Sequence, residues 1–197
     1  MIFANRAREC GLHTPEPLSL TQVNDLEVMV MEHVTPTGEL LTVSDYLALI
    51  APLRNVPTEC LPVFTNWAKA MSRTSPGDVM RERYADAMNR LFDVATEWSA
   101  VHGDMHGGNA FHTANGTVIV DFDTACASPA VWEWTHLLTR AGTVKDAGIC
   151  PRELHAALTD MFSEQEIRAA VELRSLAREI AAAHRHRFSD VASATHS

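Results

Sequence analysis

Asp104 stands five residues before Asn109, and Asp121 follows twelve residues after that. The three lie in two short runs, VHGDMHGGNAF (101–111) and VIVDFD (118–123). Phosphoryl transfer asks for this kind of set: a group that orients a hydroxyl nucleophile, and hard oxygen ligands for the cation that offsets phosphate charge. Asp104 can orient the hydroxyl and accept its proton. Asn109 and Asp121 can offer the oxygen donors that Mg²⁺ prefers, with phosphate and water completing the shell. Gly103, Gly107 and Gly108 permit tight bends between these residues. His102 and His106 have the i, i+4 spacing of two metal ligands on a helix. The glycines around them argue for a loop instead, so a zinc site is not expected.

HGDMHGGN (102–109) followed by IVDFD (119–123) resembles the signature of the aminoglycoside phosphotransferase and choline kinase family, small-molecule kinases with a protein-kinase-like fold. Three further stretches are similar to parts of that family. They are the run leading into the loop (91–101), SPAVWEW (128–134), where Glu133 stands in place of the family's usual aspartate, and VMVMEHV (28–34), which resembles the strand and hinge that hold adenine. The resemblance extends from about residue 5 to 188. It implies an α+β, mainly helical chain: the C-terminal lobe of a protein-kinase-like fold with a short hairpin (35–197), after a remnant of the N-terminal lobe and hinge (1–34). It implies Mg²⁺ and ATP or GTP as cofactors and a small-molecule hydroxyl as substrate. Asp104 takes the catalytic place, Asn109 and Asp121 the metal places, and the backbones of Glu32 and Val34 the adenine-contacting place. His102 matches a loop histidine that packs structurally. His102, His106 and Asp123 are the candidates for touching substrate or supporting the site, and Asp123 can equally cap a turn. The family's glycine-rich loop and phosphate-holding lysine have no match before the hinge, because the first lysine is Lys69. The chain is therefore expected to lack most of the N-terminal lobe and to have little or no activity alone, by itself a fragment, a natural truncation or one half completed by a partner.

The elements that position these residues follow from periodicity. A helix over 2–10 stops at Gly11, and Asn24-Asp25 marks a turn. An apolar strand, covered on both faces, is expected over 27–34, and a helix over 43–53. Residues 54–78 read as loop with short helical pieces. Met80, Tyr84, Met88, Leu91, Ala95 and Trp98 form one apolar stripe, which predicts a helix over 79–98. Asn115-Gly116 predicts a hairpin joining strands 110–113 and 117–120. Ser128 and Pro129 read as N-cap and first residue of a helix to Arg140. A helix follows over 152–162. Ser163 and Glu166 form a capping box opening a last helix to about Phe188, with the basic cluster 184–187 in its final turn and a frayed tail after it. Trp132 and Trp134 read as packing residues; His13, His112, His136 and His155 read as isolated.

The 197 residues carry a formal net charge of −9 and are 46% hydrophobic. Such a chain can build a core, but it lacks the basic face a nucleic-acid backbone binder needs. An acidic surface suits a cationic substrate. No run approaches the length of a membrane span. Cys10, Cys60, Cys126 and Cys150 form no C-x-x-C pair, so a reducing, cytoplasmic compartment is expected. The open edge of strand 27–34 predicts self-association, as a homodimer through residues 1–40. Two other readings use the same residues. GDMH (103–106) matches the first element of metallophosphoesterases, whose later G-D-x-x-D and G-N-H elements are missing. A non-catalytic kinase-like binding protein would retain the lobe without turnover.

Overall fold

The computed structural model describes residues 2–24, 26–59, 61–64, 77–143 and 146–194. Helix α1 (Ile2–Glu9) buries Phe3, Ala4 and Ala7. It ends at Gly11, whose φ of 92° is a left-handed conformation that favours glycine. Strands β1 (Pro17–Val23) and β2 (Leu26–Met31) then form an antiparallel hairpin that turns at Asn24. β1 is not expected from the sequence. β2 is shorter than the expected 27–34, since Glu32, His33 and Val34 lie outside the strand. Among the described residues β2 pairs only with β1, and Val28, Met29 and Val30 are exposed along with Leu18, Leu20 and Val23. The apolar run thus marks a two-stranded ribbon facing outward, not a strand covered on both sides.

The rest is mainly helical. Helix α2 (Val43–Ile50) is opened by a Thr42/Asp45 capping box and runs into a 3₁₀ turn (Ala51–Asn55), which takes the place of the expected continuous helix because Pro52 enters there. Helix α3 (Asp78–Val94) buries Tyr84, Ala87 and Leu91. It ends four residues earlier than the stripe suggests. Trp98 belongs instead to β3 (Trp98–Val101), because Ser99, Ala100 and Val101 pair with Ser128, Ala127 and Cys126 of β6 (Cys126–Pro129). That same pairing overturns the reading of Ser128-Pro129 as a helix start: both lie in β6, and helix α4 (Trp132–Arg140) opens three residues later. The β4 (Ala110–Thr113) and β5 (Gly116–Ile119) hairpin forms as expected around Asn115-Gly116.

Helix α5 (Pro151–Thr159) precedes the long α6 (Glu164–Ala194). The capping box at the start of α6 is present. The Glu166 carboxylate accepts from the Ser163 N–H and hydroxyl (both 2.9 Å), and the Ser163 hydroxyl accepts from the Glu166 N–H (3.2 Å). Its other oxygen accepts from the N–H (2.9 Å) and hydroxyl (2.8 Å) of Thr96, so one buried carboxylate ties α6 to the segment after α3. α6 continues past the expected end, so residues 184–187 do not form its last turn. Residues 65–76, part of the expected loop, and the end of the tail, 195–197, lie outside the described residues. Trp132 and Trp134 pack in the core, Trp132 edge-on to Phe64 with centroids 4.8 Å apart. Among the described residues no helix is long and apolar enough to cross a membrane.

Candidate active site

The loop from His102 to Asn109 joins β3 to β4, and its shape is set by its own hydrogen bonds. Asn109 N–H and Ala110 N–H both donate to His106 O, at 2.8 and 3.1 Å. The Asn109 amide donates to Asp104 O at 3.0 Å, closing the loop on itself. His102 is fully buried; its Nδ1 accepts from the Asp104 N–H (3.3 Å), which puts the ring proton on Nε2, facing Val120 O at 2.8 Å. Burial lowers the pKa of His102, which favours the neutral ring that these two contacts already describe. Val120 N–H in turn donates to Asn109 O at 2.8 Å. The loop and the chain leading to Asp121 are therefore laced together on both sides of Val120.

Beneath the loop lies a charged layer. The Glu133 carboxylate accepts from the Gly103 N–H at 3.2 Å and is buried. Desolvation pushes its pKa up to about 7, opposed by the backbone N–H groups of Gly103 and His102 and by Arg174. The Arg174 guanidinium, also buried, lies 4.0 Å from the Trp132 ring centroid and donates to Gly103 O (3.2 Å) and to the Thr135 hydroxyl (3.1 Å). Both faces of the Gly103 peptide region are thus held by charged groups from α4 and α6. Gly103 itself has a φ of 83°, and a Cβ there would stand 2.6 Å from Thr124 O.

Asp104 sits above this layer on the wall of a cleft of about 550 Å³, also lined by His136, Arg140, Arg174, Arg178 and Glu179. Burial works to raise its pKa, but His106 and His136 outweigh that and hold the carboxyl well below the usual carboxylate range. His136 Nδ1 approaches Asp104 Oδ1 to 2.8 Å, off the ideal N–H line, and His106 Nε2 lies 3.7 Å from Oδ2. His136, read as isolated from the sequence, thus stands against Asp104 in the same cleft. His112, read the same way, lies 3.4 Å from Asp45. Asp104, His106 and His136 have the donor types of a metal site and lie close enough for one. The far ring nitrogens argue otherwise. His106 Nδ1 accepts from the Gly108 N–H at 2.8 Å, and His136 Nε2 faces Arg140 Nη1 at 3.2 Å. Each imidazole therefore carries its proton on the nitrogen that a metal would need.

Asn109 is buried and Asp121 exposed; Asp121 has a left-handed φ of 66° two residues beyond β5. The expected strand 117–120 would end beside Asp121; β5 ends one residue sooner, at Ile119. Asp123 is exposed, and the Thr124 hydroxyl next to it donates to His102 O at 2.8 Å. Glu32 and Val34 lie remote in sequence from the loop, in the stretch that follows β2. The Glu32 N–H donates to Glu16 O at 2.7 Å, and Thr37 N–H reaches His112 O of β4 at 2.8 Å, which joins this stretch to the β4–β5 hairpin.

A family model described as the phosphotransferase enzyme family matches residues 50–173. No curated protein sequence matches the chain. Among solved structures, a thermostable mutant of aminoglycoside phosphotransferase APH(4)-Ia is similar, with a TM-score of 0.66 and 13% identity over 93% of this chain and 74% of that one. The amicoumacin kinase hAmiN, in complex with AMP-PNP, Ca²⁺ and Ami, gives 0.68 and 13% over 93% and 69%. A choline/ethanolamine kinase family protein from Mesorhizobium loti gives 0.59 and 14% over 93% and 69%. At these identities the structures speak for the kinase-like fold. With the family match spanning more than half of the sequence, the chain belongs to the phosphotransferase enzyme family.

Proposed function

We propose that this chain is the catalytic-loop lobe of a small-molecule kinase, built to transfer the γ-phosphoryl group of ATP or GTP to a hydroxyl with Asp104 as the base, and that alone it has little or no turnover. The observation that carries this reading is the Asp104 carboxylate, set on the wall of the cleft by a loop laced to the approach of Asp121. In the step, the substrate oxygen forms a bond to the γ-phosphorus and its proton passes to Asp104. The bond to the bridging oxygen breaks, and ADP or GDP leaves. Asn109 and Asp121 suit Mg²⁺: the Asn109 amide nitrogen is committed to Asp104 O, so its Oδ1 is the side chain's ligand atom, and Asp121 adds an exposed carboxylate. Bound there, Mg²⁺ would offset charge on the phosphates. For adenine, the Glu32 N–H is already taken by Glu16 O, so the Glu32 carbonyl and the Val34 N–H are the hinge groups that fit. The net charge of −9 favours a substrate that carries a cationic group. Free thiols at Cys10, Cys126 and Cys150 suit a cytoplasmic setting.

A thermal-shift titration with Mg²⁺-ATP and Mg²⁺-GTP tests this, whatever the turnover. Asp121→Ala should abolish the Mg²⁺-dependent shift, while Asp104→Ala should keep it and lose turnover by orders of magnitude. A shift untouched by Asp121→Ala would overturn the assignment. Nucleotide binding with no transfer to any hydroxyl acceptor would favour a kinase-like binding protein.

The β1–β2 ribbon supports a second proposal, that the chain self-associates through residues 1–40. The observation favouring it is the exposure of Leu18, Leu20, Val23, Val28, Met29 and Val30 together on a two-stranded ribbon.

A further inference from the structure

His136 lies on α4, in the same cleft as Asp104 but far from the signature loop in sequence. Its Nδ1 is 2.8 Å from Asp104 Oδ1, and its Nε2 is 3.2 Å from Arg140 Nη1. A guanidinium carries only donors, so Nε2 must accept, and the single proton of the neutral ring is placed on Nδ1, facing Asp104. Arg140 is itself aimed. Its Nε lies 3.5 Å from Asp146 Oδ2, and the Asp146 side chain is fully buried. Asp146 Oδ1 accepts from the Gly107 N–H at 2.8 Å and from the Tyr46 hydroxyl at 3.3 Å. A run of polar groups, Asp146–Arg140–His136–Asp104, therefore starts at a buried acid under the loop and ends on the site carboxylate; its two end links are close contacts off hydrogen-bond alignment, and the Arg140–His136 hydrogen bond is what fixes the ring proton.

We propose that His136 is a positioning residue: held in one tautomer by Arg140, it grips Asp104 Oδ1 and leaves Oδ2 to meet the substrate hydroxyl. His106 Nε2, at 3.7 Å from Oδ2, is beyond hydrogen-bond length, so the two oxygens are not equivalent. Without the grip on Oδ1 the carboxylate can rotate about its last torsion, which is intrinsically broad. The catalytic meaning of this grip rests on the phosphotransferase reading of Asp104; the tautomer does not.

Two measurements on the full chain separate those layers. In the first, the protein is labelled with ¹⁵N-histidine and long-range ¹H–¹⁵N correlations are recorded near neutral pH, with and without Zn²⁺. His136 is expected as the Nδ1–H tautomer, unchanged by Zn²⁺, and Arg140→Met should introduce the other tautomer. Finding Nε2–H in the parent chain, or zinc bound through Nδ1, would overturn the proposal. In the second, phosphoryl transfer is compared across three variants. His136→Ala should lower kcat about 10- to 100-fold, the worth of one hydrogen bond to a charged group, with the nucleotide KM unchanged. His136→Asn, whose amide N–H replaces Nδ1–H, should recover most of that loss; His136→Gln, whose amide reaches the Nε2 place, should not. Equal kcat in all three variants would overturn the positioning role. Absence of turnover in the parent chain would match the low activity expected of it alone, and the tautomer measurement would then decide the proposal by itself.

Discussion

Arg174→Met should destabilise the chain by an amount that grows with pH. The substitution keeps most of the side-chain volume but removes a buried cation that stacks on Trp132, donates to Gly103 O and Thr135 Oγ1, and interacts with Glu133. Burial pulls the guanidinium pKa down to about 10, while Asp104 and Glu133 pull it back up, so it stays charged at any pH where the fold is assayed. Breaking a buried charge constellation by removing one partner costs about 3–5 kcal/mol, because the remaining charge is left uncompensated. Glu133 makes that cost pH-dependent. Its folded pKa is raised from 4.5 to about 7, so the fold holds a proton that the unfolded chain releases. The stability linked to that proton is fully present below 4.5 and is lost as pH rises through 7, about 3 kcal/mol in all. Arg174 is one of the groups that lower this pKa, so removing it raises the pKa further and extends the loss above pH 7. At pH 5.5 Glu133 is largely neutral in both proteins, and the cost reduces to lost stacking and two lost hydrogen bonds. At pH 8 the full 3–5 kcal/mol, roughly a 6–20 °C drop in Tm for a chain of this size, is expected. Urea unfolding at the two pH values measures it directly. A difference under about 1 kcal/mol at pH 8, or the same difference at both pH values, would refute the reasoning, since most single substitutions exceed that only by a named mechanism such as this one.

Gly103→Ala should cost about 1–3 kcal/mol, because the position combines a φ of 83° with a Cβ site 2.6 Å from Thr124 O; chemical denaturation reads the loss. Glu166→Ala removes the acceptor for four donors from Ser163 and Thr96, and should lower stability by about 2–4 kcal/mol at neutral pH. Burial opposes ionisation of Glu166, but the Thr96 and Ser163 donors outweigh it and lower its pKa, so its contribution is present above 4.5 and is lost as pH falls through the folded value. The gap between Glu166→Ala and the parent should therefore narrow in acid, in the same direction as for Arg174→Met but over a lower pH range, below 4.5 rather than around 7. Light scattering at micromolar concentration should show self-association of the chain, and Leu20→Glu together with Val30→Lys, both on the exposed ribbon, should reduce it; a clean monomer in the parent chain would count against association.

Much of the fold is legible where one local rule decides. The Asn115-Gly116 turn, the Ser163/Glu166 box and the Gly11 stop all act within a few residues, and each appears where its chemistry places it. The misplaced boundaries share a cause of longer range. Trp98 continues the apolar stripe of α3, and Ser128-Pro129 has the residue types of a helix start. These two segments pair with each other, Trp98 opposite Pro129, and the ladder outweighs both local preferences. β2 fails for a related reason. A run of Leu, Val and Met reads the same whether a sheet buries it or a single partner strand leaves it outside, and only the pairing with β1 distinguishes the two.

The site divides along the same line. Asp104, Asn109 and Asp121 stand out in the sequence because they fall at short, fixed spacings within one loop and the segment after one strand. His136 does not, though a signal is present. His136 and Arg140 stand at i, i+4 on α4, the spacing at which one side chain can set the other's proton. What the sequence cannot supply is the third member. Asp104 meets that pair only because β6 brings α4 under the loop, where Glu133 of the same helix accepts from Gly103 N–H. The substitution of glutamate for the family's usual aspartate at 133 therefore bears on the placement of α4. An acid one methylene longer, gripping the loop backbone from below, fixes how far the helix stands from Asp104 and so whether the His136 imidazole can reach it. Glu133→Asp tests that link: it keeps the charge but shortens the grip, and it should alter the His136 ring environment by NMR even where overall stability changes little.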